Sequence, residues 1–255
     1  EEKKIKYYFT IPPAKEHVYP KLMSQGLQCE TQFSRLDQLY NYIKDDTLIR
    51  MIDYRKELIE GKNTRVTYME ADSHWNRFGA YLAYYKIMSR ISKDFPQLKP
   101  ENITEYKIDS SLGYGGDLQC HLGFDDMYTS HYYFFTLKSG DKPVIADSTN
   151  IVDPKLPCVV RELPDKGKGL KLFVVHDSFT GALIDFLSPR FDRSVFTWVK
   201  TPPVPAILKE KPDILIHEVT ERFLSSVLNL PAEIRDDKGF LSEYFPSYYQ
   251  NSSRK

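Results

Sequence analysis

The stretch LFVVHDSFTGAL, Leu172 to Leu183, changes from an apolar run to a polar triplet and then to a helical pattern. A continuous apolar run of this kind predicts a strand that is buried on both faces, as in a parallel sheet. A helix is predicted to follow from about Thr180 to Leu187. In open α/β sheets, ligands bind where the strands end. Ser178 therefore lies where a hydroxyl could act as a nucleophile, or could only cap the helix.

The alternation of strand, loop and helix continues along much of the chain. Strands are predicted where β-branched and aromatic residues cluster between turn residues, at Ile5–Ile11, Leu48–Asp53, Arg65–Met69 and Lys211–Val219. Helices are predicted where apolar residues recur at helical spacing, at Leu36–Ile43, Tyr54–Gly61, Phe78–Met88 and Thr220–Leu228. This order favours an α/β fold with a central parallel sheet.

The longest predicted helix has a defined start and a defined apolar face. Asn76 is a favoured N-cap residue and directly precedes it. One face of this helix is predicted to be buried, with the residues Phe78, Tyr81, Leu82, Tyr85 and Met88.

The middle of the chain, about residues 98–165, is less regular. Tyr128–Leu137 resembles an exposed or edge strand, and the segment KSGDKP after it is typical of a hairpin turn that leads into Lys142–Asp147. We predict a small antiparallel insertion here, within a single catalytic domain that spans residues 1–255. Residues 240–255 are polar and are predicted to form a flexible tail.

Composition excludes several classes of protein. The chain has 41% hydrophobic and 27% charged residues, which is typical of a soluble globular protein. Its formal net charge of zero argues against a nucleic-acid partner. No stretch of 18 apolar residues is present. The three cysteines, Cys29, Cys120 and Cys158, form no C-x-x-C pair, which argues against a zinc knuckle or a thioredoxin-like site.

A nucleophilic serine needs a base, and the sequence offers two. His176 lies only two residues before Ser178, but a side chain anchored so near rarely reaches the hydroxyl in the required line. Asp72 and His74 lie two residues apart in the loop after the predicted strand Arg65–Met69. A carboxylate at that spacing can accept the Nδ1 proton and leave Nε2 as the base.

Other interpretations of these residues remain open at this point. His74 could be an ordinary loop histidine, and the domain could be a scaffold that binds glycans without catalysis. Asp72 and His74 could also be metal ligands of a phosphoesterase, but two-metal sites need more converging ligands. The histidines elsewhere show no such spacing, namely His17, His121, His131 and His217. We therefore expect no metal and no cofactor.

Five ordered blocks resemble a known family. DSHWNRFGA, Asp72–Ala80, resembles the D-T-H-W-N-x-x-G-A signature of the alginate O-acetyltransferase family (AlgX and AlgJ type) in the SGNH-hydrolase-like group, with Ser73 in place of the usual threonine. Further blocks are similar to the family's P-x-K-x-x-x-Y-P, G-D-L, H-D-S-F and closing P-D-x-x-I-x-E segments, at Ile11–Pro20, Gly115–Phe124, His176–Trp198 and Lys211–Leu224.

The resemblance implies a fold and a set of site residues. The fold would be an SGNH-hydrolase-like, flavodoxin-like three-layer sandwich. Ser178 would be the nucleophile, His74 the base and Asp72 its orienting carboxylate. The oxyanion hole would use the Ser178 N–H with an amide near Thr180 or Gly181. Asn76 and Arg222 are further candidates for the oxyanion hole or for substrate binding, although a structural role is favoured for Arg222 and for Glu218.

The resemblance also implies a function. The chain would move acetyl groups onto hydroxyls of an exopolysaccharide or cell-wall glycan, as in alginate biosynthesis, through an acetyl-Ser178 intermediate. The alternative is a carbohydrate acetylesterase with the same triad. A membrane-bound O-acyltransferase would supply the acetyl group. We expect a monomer at the cell surface or in the periplasm, with any N-terminal membrane anchor lying before this chain begins.

Overall fold

The computed structural model describes residues 5–24, 34–46, 49–124, 126–138, 142–148, 151–152, 156–164 and 169–224. The chain divides into two compact units, Glu1–Glu221 and Arg222–Lys255. Only residues 222–224 of the second unit are described, so most of the predicted helix Thr220–Leu228 and the whole predicted tail lie outside the described residues.

A seven-stranded mixed sheet forms the centre of the first unit. Its strands, numbered in chain order, are β1 Lys6–Thr10, β2 Arg50–Ile52, β5 Val144–Ala146, β6 Cys158–Glu162, β7 Lys171–His176, β8 Arg193–Trp198 and β9 Ile214–Glu218. Two further strands, β3 Tyr106–Tyr114 and β4 Thr129–Leu137, form a separate pair. Their order across the sheet is β2-β1-β9-β7-β8-β6-β5. Neighbours from β2 to β8 are parallel, whereas β6 and β5 are antiparallel additions at one edge.

Seven α-helices accompany the sheet among the described residues. They are α1 Lys15–Val18, α2 Arg35–Ile43, α3 Arg55–Gly61, α4 Arg77–Ile91, α5 Asp117–Leu122, α6 Ile184–Leu187 and α7 Val204–Glu210. Short 3-10 helices lie at Pro20–Leu22, Ile103–Glu105, Ser178–Ala182, Ser188–Arg190 and Glu221–Phe223. None of the helices in the described part of the chain is long and apolar enough to cross a membrane.

Helices cover both faces of the sheet, and β7 shows this directly. Its alternate residues belong to different cores, because successive side chains of a strand point to opposite faces. Val174 packs in a cluster with Ile87 of α4, while Phe173 packs in a second cluster with Ile207 of α7. The predicted α/β fold with three layers, a mainly parallel sheet and a small antiparallel element is therefore confirmed.

Most predicted strands and helices are present, but Arg65–Met69 is not a strand. This segment makes only one isolated bridge, between Tyr68 and Trp75. Val66 is half-buried, and Thr67 and Tyr68 are almost fully enclosed, in a loop that precedes α4. The expectation that Asp72 and His74 follow a sheet strand is wrong, and the loop needs another means of support.

Two details of the other predicted elements also differ. The antiparallel insertion is formed by β3 and β4, and β5 pairs with β6 in the central sheet instead of forming a hairpin with β4. Residues 139–141 of the predicted turn lie outside the described residues. In α4, Tyr85 is exposed and the buried face includes Tyr84 and Ile87, because both the sheet and the β3–β4 pair border this helix. Cys120 and Cys158 are free thiols.

Candidate active site

Ser178 is separated from the end of β7 by one residue and begins the 3-10 helix Ser178–Ala182. The preceding residue, Asp177, caps this helix, since its Oδ1 accepts a hydrogen bond from Phe179 N at 3.1 Å. Asp177 Oδ2 accepts another from Thr220 N at 2.7 Å, which ties the turn to the segment after β9. Among the described residues, the Ser178 N–H has no hydrogen-bond acceptor, as is usual for the first amide of a helix.

His74 connects Ser178 to Asp72. Its Nε2 lies 2.6 Å from Ser178 Oγ, and its Nδ1 lies 2.6 Å from Asp72 Oδ1. This geometry suits the tautomer in which Nδ1 donates to the carboxylate and Nε2 accepts from the hydroxyl. The structure therefore brings together the three residues that the sequence selected from segments about a hundred residues apart.

Asp72 is held as an acceptor of several hydrogen bonds. Burial alone raises the pKa of this carboxyl, but the ring and amide of His74 and the amide of Asp117 donate to it. Together these bonds lower the pKa of Asp72 to about 2. The carboxylate is therefore ionised at neutral pH, which suits a group that orients and stabilises an imidazolium.

His176 points away from this arrangement. Its Nδ1 lies 2.6 Å from the backbone oxygen of Asp177, and its ring packs near Phe196 and Trp198. Burial lowers the pKa of His176, although the hydrogen bond to Asp177 opposes this effect. In the described part of the chain it makes no hydrogen bond to Ser178, and its burial favours the neutral imidazole.

The loop that carries His74 is anchored to the nucleophile turn by Trp75. The indole Nε1 donates to Phe179 O at 3.0 Å, and the two rings pack edge to face at 5.1 Å. His74 also packs on Phe179, with ring centroids 4.7 Å apart. Sequence reasoning did not assign Trp75 a role, although its place between two predicted site residues was a usable signal.

A buried pair of carboxyl groups supports the nucleophile turn. Glu218 is 1% exposed; its Oε2 accepts a hydrogen bond from Thr180 Oγ1, and its Oε1 accepts one from Asp177 N at 3.4 Å. Burial and the neighbouring Asp177 raise the pKa of Glu218 well above its usual value. Burial also raises the pKa of Asp177, but hydrogen bonds, chiefly from Glu218 and Thr220, lower it below the usual range. The two pKa values are therefore shifted in opposite directions, so Glu218 takes up a proton at higher pH than Asp177 does.

The remaining predicted site residues lie in different parts of the structure. Asn76 caps α4: its Oδ1 accepts from Phe78 N and Gly79 N, and its Nδ2 donates to Val66 O. Thr180 is buried against Glu218, and Gly181 is exposed in the 3-10 helix. Arg222 begins the second unit, and its guanidinium lies over the ring of Phe223. Their roles in oxyanion or substrate binding stay predictions.

Asp72, His74 and Asp117 lie close enough to hold a metal ion, with one ligand atom from each within 4.8 Å of the others. Each of these groups already makes hydrogen bonds to other protein groups. Asp117 Oδ1 accepts from Ser73 N at 2.6 Å, and Asp72 Oδ2 accepts from Asp117 N at 2.9 Å. The donor set therefore suits a hydrogen-bonded triad better than a cation with open coordination positions.

A cleft of about 430 Å³ lies beside α6, between the β3–β4 pair and the edge of the central sheet. Arg77 lines this cleft, and its guanidinium donates to Ala182 O, at the end of the 3-10 helix that begins with Ser178, at 3.3 Å and to Asp185 at 3.0 Å. The other polar and charged lining residues include Lys142 and Arg161. The volume is typical of a ligand pocket.

Comparisons with known proteins agree with this architecture. Solved structures with the same fold include Bacillus cereus PatB1, also solved with a sulfonyl adduct (TM-score 0.66, 15% identity, 86% of this chain and 84% of that chain). A DHHW family protein from Eubacterium siraeum has a TM-score of 0.64 and 16% identity, over 85% of this chain and 78% of that chain. The O-acetyltransferase domain of Pseudomonas putida AlgJ has a TM-score of 0.55 and 15% identity, over 86% of this chain and 76% of that chain. At these identities the likeness shows the fold alone.

Sequence comparison goes further. No curated protein sequence matches the chain. Residues 1–134 match the family model described as the SGNH hydrolase-like domain of acetyltransferase AlgX. The match includes Asp72 and His74 and ends before Ser178. Because it spans more than half of the 255 residues, the chain belongs to the AlgX family of SGNH hydrolase-like acetyltransferases.

Proposed function

We propose that this protein is an O-acetyltransferase that moves acetyl groups onto hydroxyls of an exopolysaccharide or cell-wall glycan through an acetyl-Ser178 intermediate. The observation that carries the proposal is the position of His74, with one ring nitrogen 2.6 Å from Ser178 Oγ and the other 2.6 Å from Asp72. A nucleophile, a base and an orienting carboxylate in this order are the requirements of serine acyl transfer.

In the first half-reaction, Ser178 Oγ attacks the acetyl carbonyl of the donor and His74 Nε2 takes the hydroxyl proton. Asp72 stabilises the imidazolium that forms. The tetrahedral intermediate then collapses, the bond to the donor's leaving group breaks, and His74 returns the proton to that group. In the second half-reaction, a glycan hydroxyl attacks the acetyl ester, His74 takes its proton, and the proton passes to Ser178 Oγ as the acetylated glycan departs.

The Ser178 N–H supports the proposal as an oxyanion donor, since it has no acceptor among the described residues. The second donor would be an amide near Thr180 or Gly181. Such donors stabilise the negative charge that develops on the carbonyl oxygen. Asn76 already satisfies the first amides of α4, so we assign it to the support of the His74 loop.

The acceptor, the donor and the setting belong to the same proposal. The cleft beside α6 is large enough for part of a saccharide, and its lining residue Arg77 donates to Ala182 O in the 3-10 helix that follows Asp177. A membrane-bound O-acyltransferase would deliver the acetyl group, and the domain would work in the periplasm or at the cell surface. Alginate is one acceptor to test. With water as the acceptor, the same residues would make an acetylesterase.

The test is acetyl transfer from p-nitrophenyl acetate, with and without glycan acceptors. We expect Ser178→Ala and His74→Ala to lower kcat on the order of 10⁴-fold or more, while His176→Ala keeps measurable turnover. Acetylated glycan would identify a transferase, and free acetate alone would identify an esterase. Loss of activity in His176→Ala together with an active His74→Ala would contradict the assignment of the base. An inactive wild-type protein with no acylation of Ser178 would favour a glycan-binding scaffold.

A further inference from the structure

The loop that presents Asp72 and His74 has no strand to fix it, yet its backbone is held by a lysine from another part of the chain. Lys15, the first residue of α1, directs its Nζ at three carbonyl oxygens of this loop. It donates to Met69 O at 2.7 Å, Glu70 O at 2.8 Å and Asp72 O at 2.9 Å. An ammonium has three N–H donors, and all of them are used on this one loop.

A carboxylate is bonded to the same loop from α5. Asp117 N donates to Asp72 Oδ2 at 2.9 Å, and the Asp117 carboxylate accepts hydrogen bonds from both the amide and the hydroxyl of Ser73. Its Oδ2 also lies 3.5 Å from His74 Nδ1. The His74 ring therefore faces two carboxylates, one from its own loop and one from α5.

Gly116 allows the close approach that this second contact needs. Its φ is +147°, and a Cβ at this position would lie 2.1 Å from Ala71 O. Only glycine adopts such a backbone conformation readily and leaves room for the neighbouring chain. The start of α5 is therefore fitted against the loop backbone.

We propose that Lys15 and Asp117 are positioning residues of the acyl-transfer site. They hold the strandless loop where His74 Nε2 reaches Ser178 Oγ, and Asp117 adds a second negative charge beside His74 Nδ1. The inference deepens the proposed function and rests on it for its kinetic consequences. Burial lowers the pKa of Lys15, while the charges of Glu70, Asp72 and Asp117 oppose this effect, so the lysine is electrostatically coupled to the loop it binds.

The first test replaces Lys15 by methionine, which keeps an unbranched side chain one atom shorter than that of lysine and removes the ammonium. We expect kcat to fall about 100-fold with little change in KM, because a small displacement of the base affects the transition state more than binding. Lys21→Met is the matched control, since Lys21 is exposed near the same helix. It should keep wild-type kinetics.

Chemical rescue separates the ammonium from general damage to the fold. Lys15→Cys treated with bromoethylamine regains a side chain of nearly lysine length with a terminal ammonium. We expect this treatment to restore most of kcat, whereas wild-type protein treated in the same way controls for modification of the native cysteines. Failure of rescue in a folded, fully alkylated variant would contradict the assigned role of the ammonium.

The second test replaces Asp117 by asparagine, which keeps an acceptor for Ser73 and removes the charge. Asp72 then remains beside His74 Nδ1 and Ser178 Oγ lies at Nε2, while the Lys15 ammonium binds the backbone oxygen of Asp72. Loss of one negative charge disfavours the imidazolium, so the acid limb of the kcat/KM profile should move to lower pH. Asp109→Asn, at an exposed site on β3, should leave the profile unchanged. An unshifted profile for Asp117→Asn would overturn the electrostatic part of the inference.

Hydrogen exchange tests the positioning without requiring turnover. In Lys15→Met, we expect amides of residues 69–76 to exchange faster while those of β7 stay protected. If the wild-type protein proves inactive, the proposed function fails but this measurement still decides the role of Lys15. Wild-type exchange and wild-type kcat in folded Lys15→Met would overturn the inference.

Discussion

Ser178 and His74 meet at 2.6 Å, but the segments that carry them are fixed by different means. Ser178 follows β7, which is paired with β8 on one side and β9 on the other and is buried along nearly its whole length. His74 lies in a loop with one isolated bridge, and this loop depends on side chains from α1 and α5 and on its own Trp75. The nucleophile is placed by the sheet, and the base is placed by a few specific contacts.

This difference predicts whether a substitution lowers stability or catalytic activity. Changes near β7 should act mainly on the free energy of unfolding, because sheet pairing and core packing support the whole unit. Changes to the polar contacts of the loop should act mainly on catalysis, because they move one base against a fixed nucleophile. Trp75 is the exception, since it belongs to the loop and to the core at once.

The largest effect on the free energy of unfolding is therefore expected from Trp75→Ala. Trp75 is 2% exposed, so its truncation removes a large buried ring and should lower the free energy of unfolding by about 4 kcal/mol. Turnover should fall as well, because the contact with Phe179 joins the two segments. Urea unfolding and p-nitrophenyl acetate kinetics measure both effects. Trp198→Ala is the control, as Trp198 is about half exposed on β8. Equal losses of stability and turnover in the two variants would contradict the special role of Trp75 in joining the loop to the nucleophile turn.

The sheet itself carries a second prediction, through His217 on β9. Burial lowers the pKa of His217 to about 4, against 6.5 for an unperturbed histidine. Between these values the unfolded chain binds a proton that the folded chain does not, so stability falls as the pH drops from 6.5 toward 4, by about 3 kcal/mol. His217→Gln should remove this part of the pH dependence in urea unfolding measured at pH 7, 5.5 and 4. An unchanged pH dependence would show that the strand histidine is not the source.

A smaller effect on the free energy of unfolding is expected from substitutions of Glu218, which supports the nucleophile turn. Burial favours the neutral form of Glu218, and glutamine is its neutral counterpart. In Glu218→Gln the carbonyl oxygen can accept from Asp177 N while the amide group donates to Thr180 Oγ1, so the free energy of unfolding should change by less than about 1 kcal/mol. Glu218→Ala leaves Thr180 and Asp177 without this partner and should cost about 2 kcal/mol. Thermal unfolding of both variants makes the comparison. A glutamine variant as unstable as the alanine variant would mean that Glu218 is held as a carboxylate.

The sequence was informative where periodicity and local chemistry act together. The apolar run before Ser178 predicted β7, and the residues after it predicted the helical turn. Arg65–Met69 was misjudged because its residues favour strands for the same reason that they favour burial, and burial here occurs in a loop. The pairing of β5 with β6 was missed, since edge additions depend on long-range contacts. The strand β8 was also missed, although it lies inside the sheet between β7 and β6.

The site, like the fold, was predictable only where neighbouring residues in the sequence act together. The spacing of Asp72 and His74 predicted a carboxylate beside a histidine, and the family resemblance selected Ser178 as their partner. The contacts of Lys15, Asp117 and Trp75 could not be derived from spacing, because they join residues 44 to 104 positions apart. Lys15 and Asp117 do lie in blocks that carry the family resemblance, which was the one available signal.

The most direct test of the central claim is to trap the acyl-enzyme. Wild-type protein mixed with p-nitrophenyl acetate and quenched in acid should gain the mass of one acetyl group, and peptide sequencing should place it on Ser178. Ser178→Ala should remain unmodified, His74→Ala should acquire the group far more slowly, and His176→Ala should acquire it at a rate near that of wild type. Acetylation of another residue, or equal rates in His74→Ala and wild type, would contradict a catalytic site formed by Ser178, His74 and Asp72.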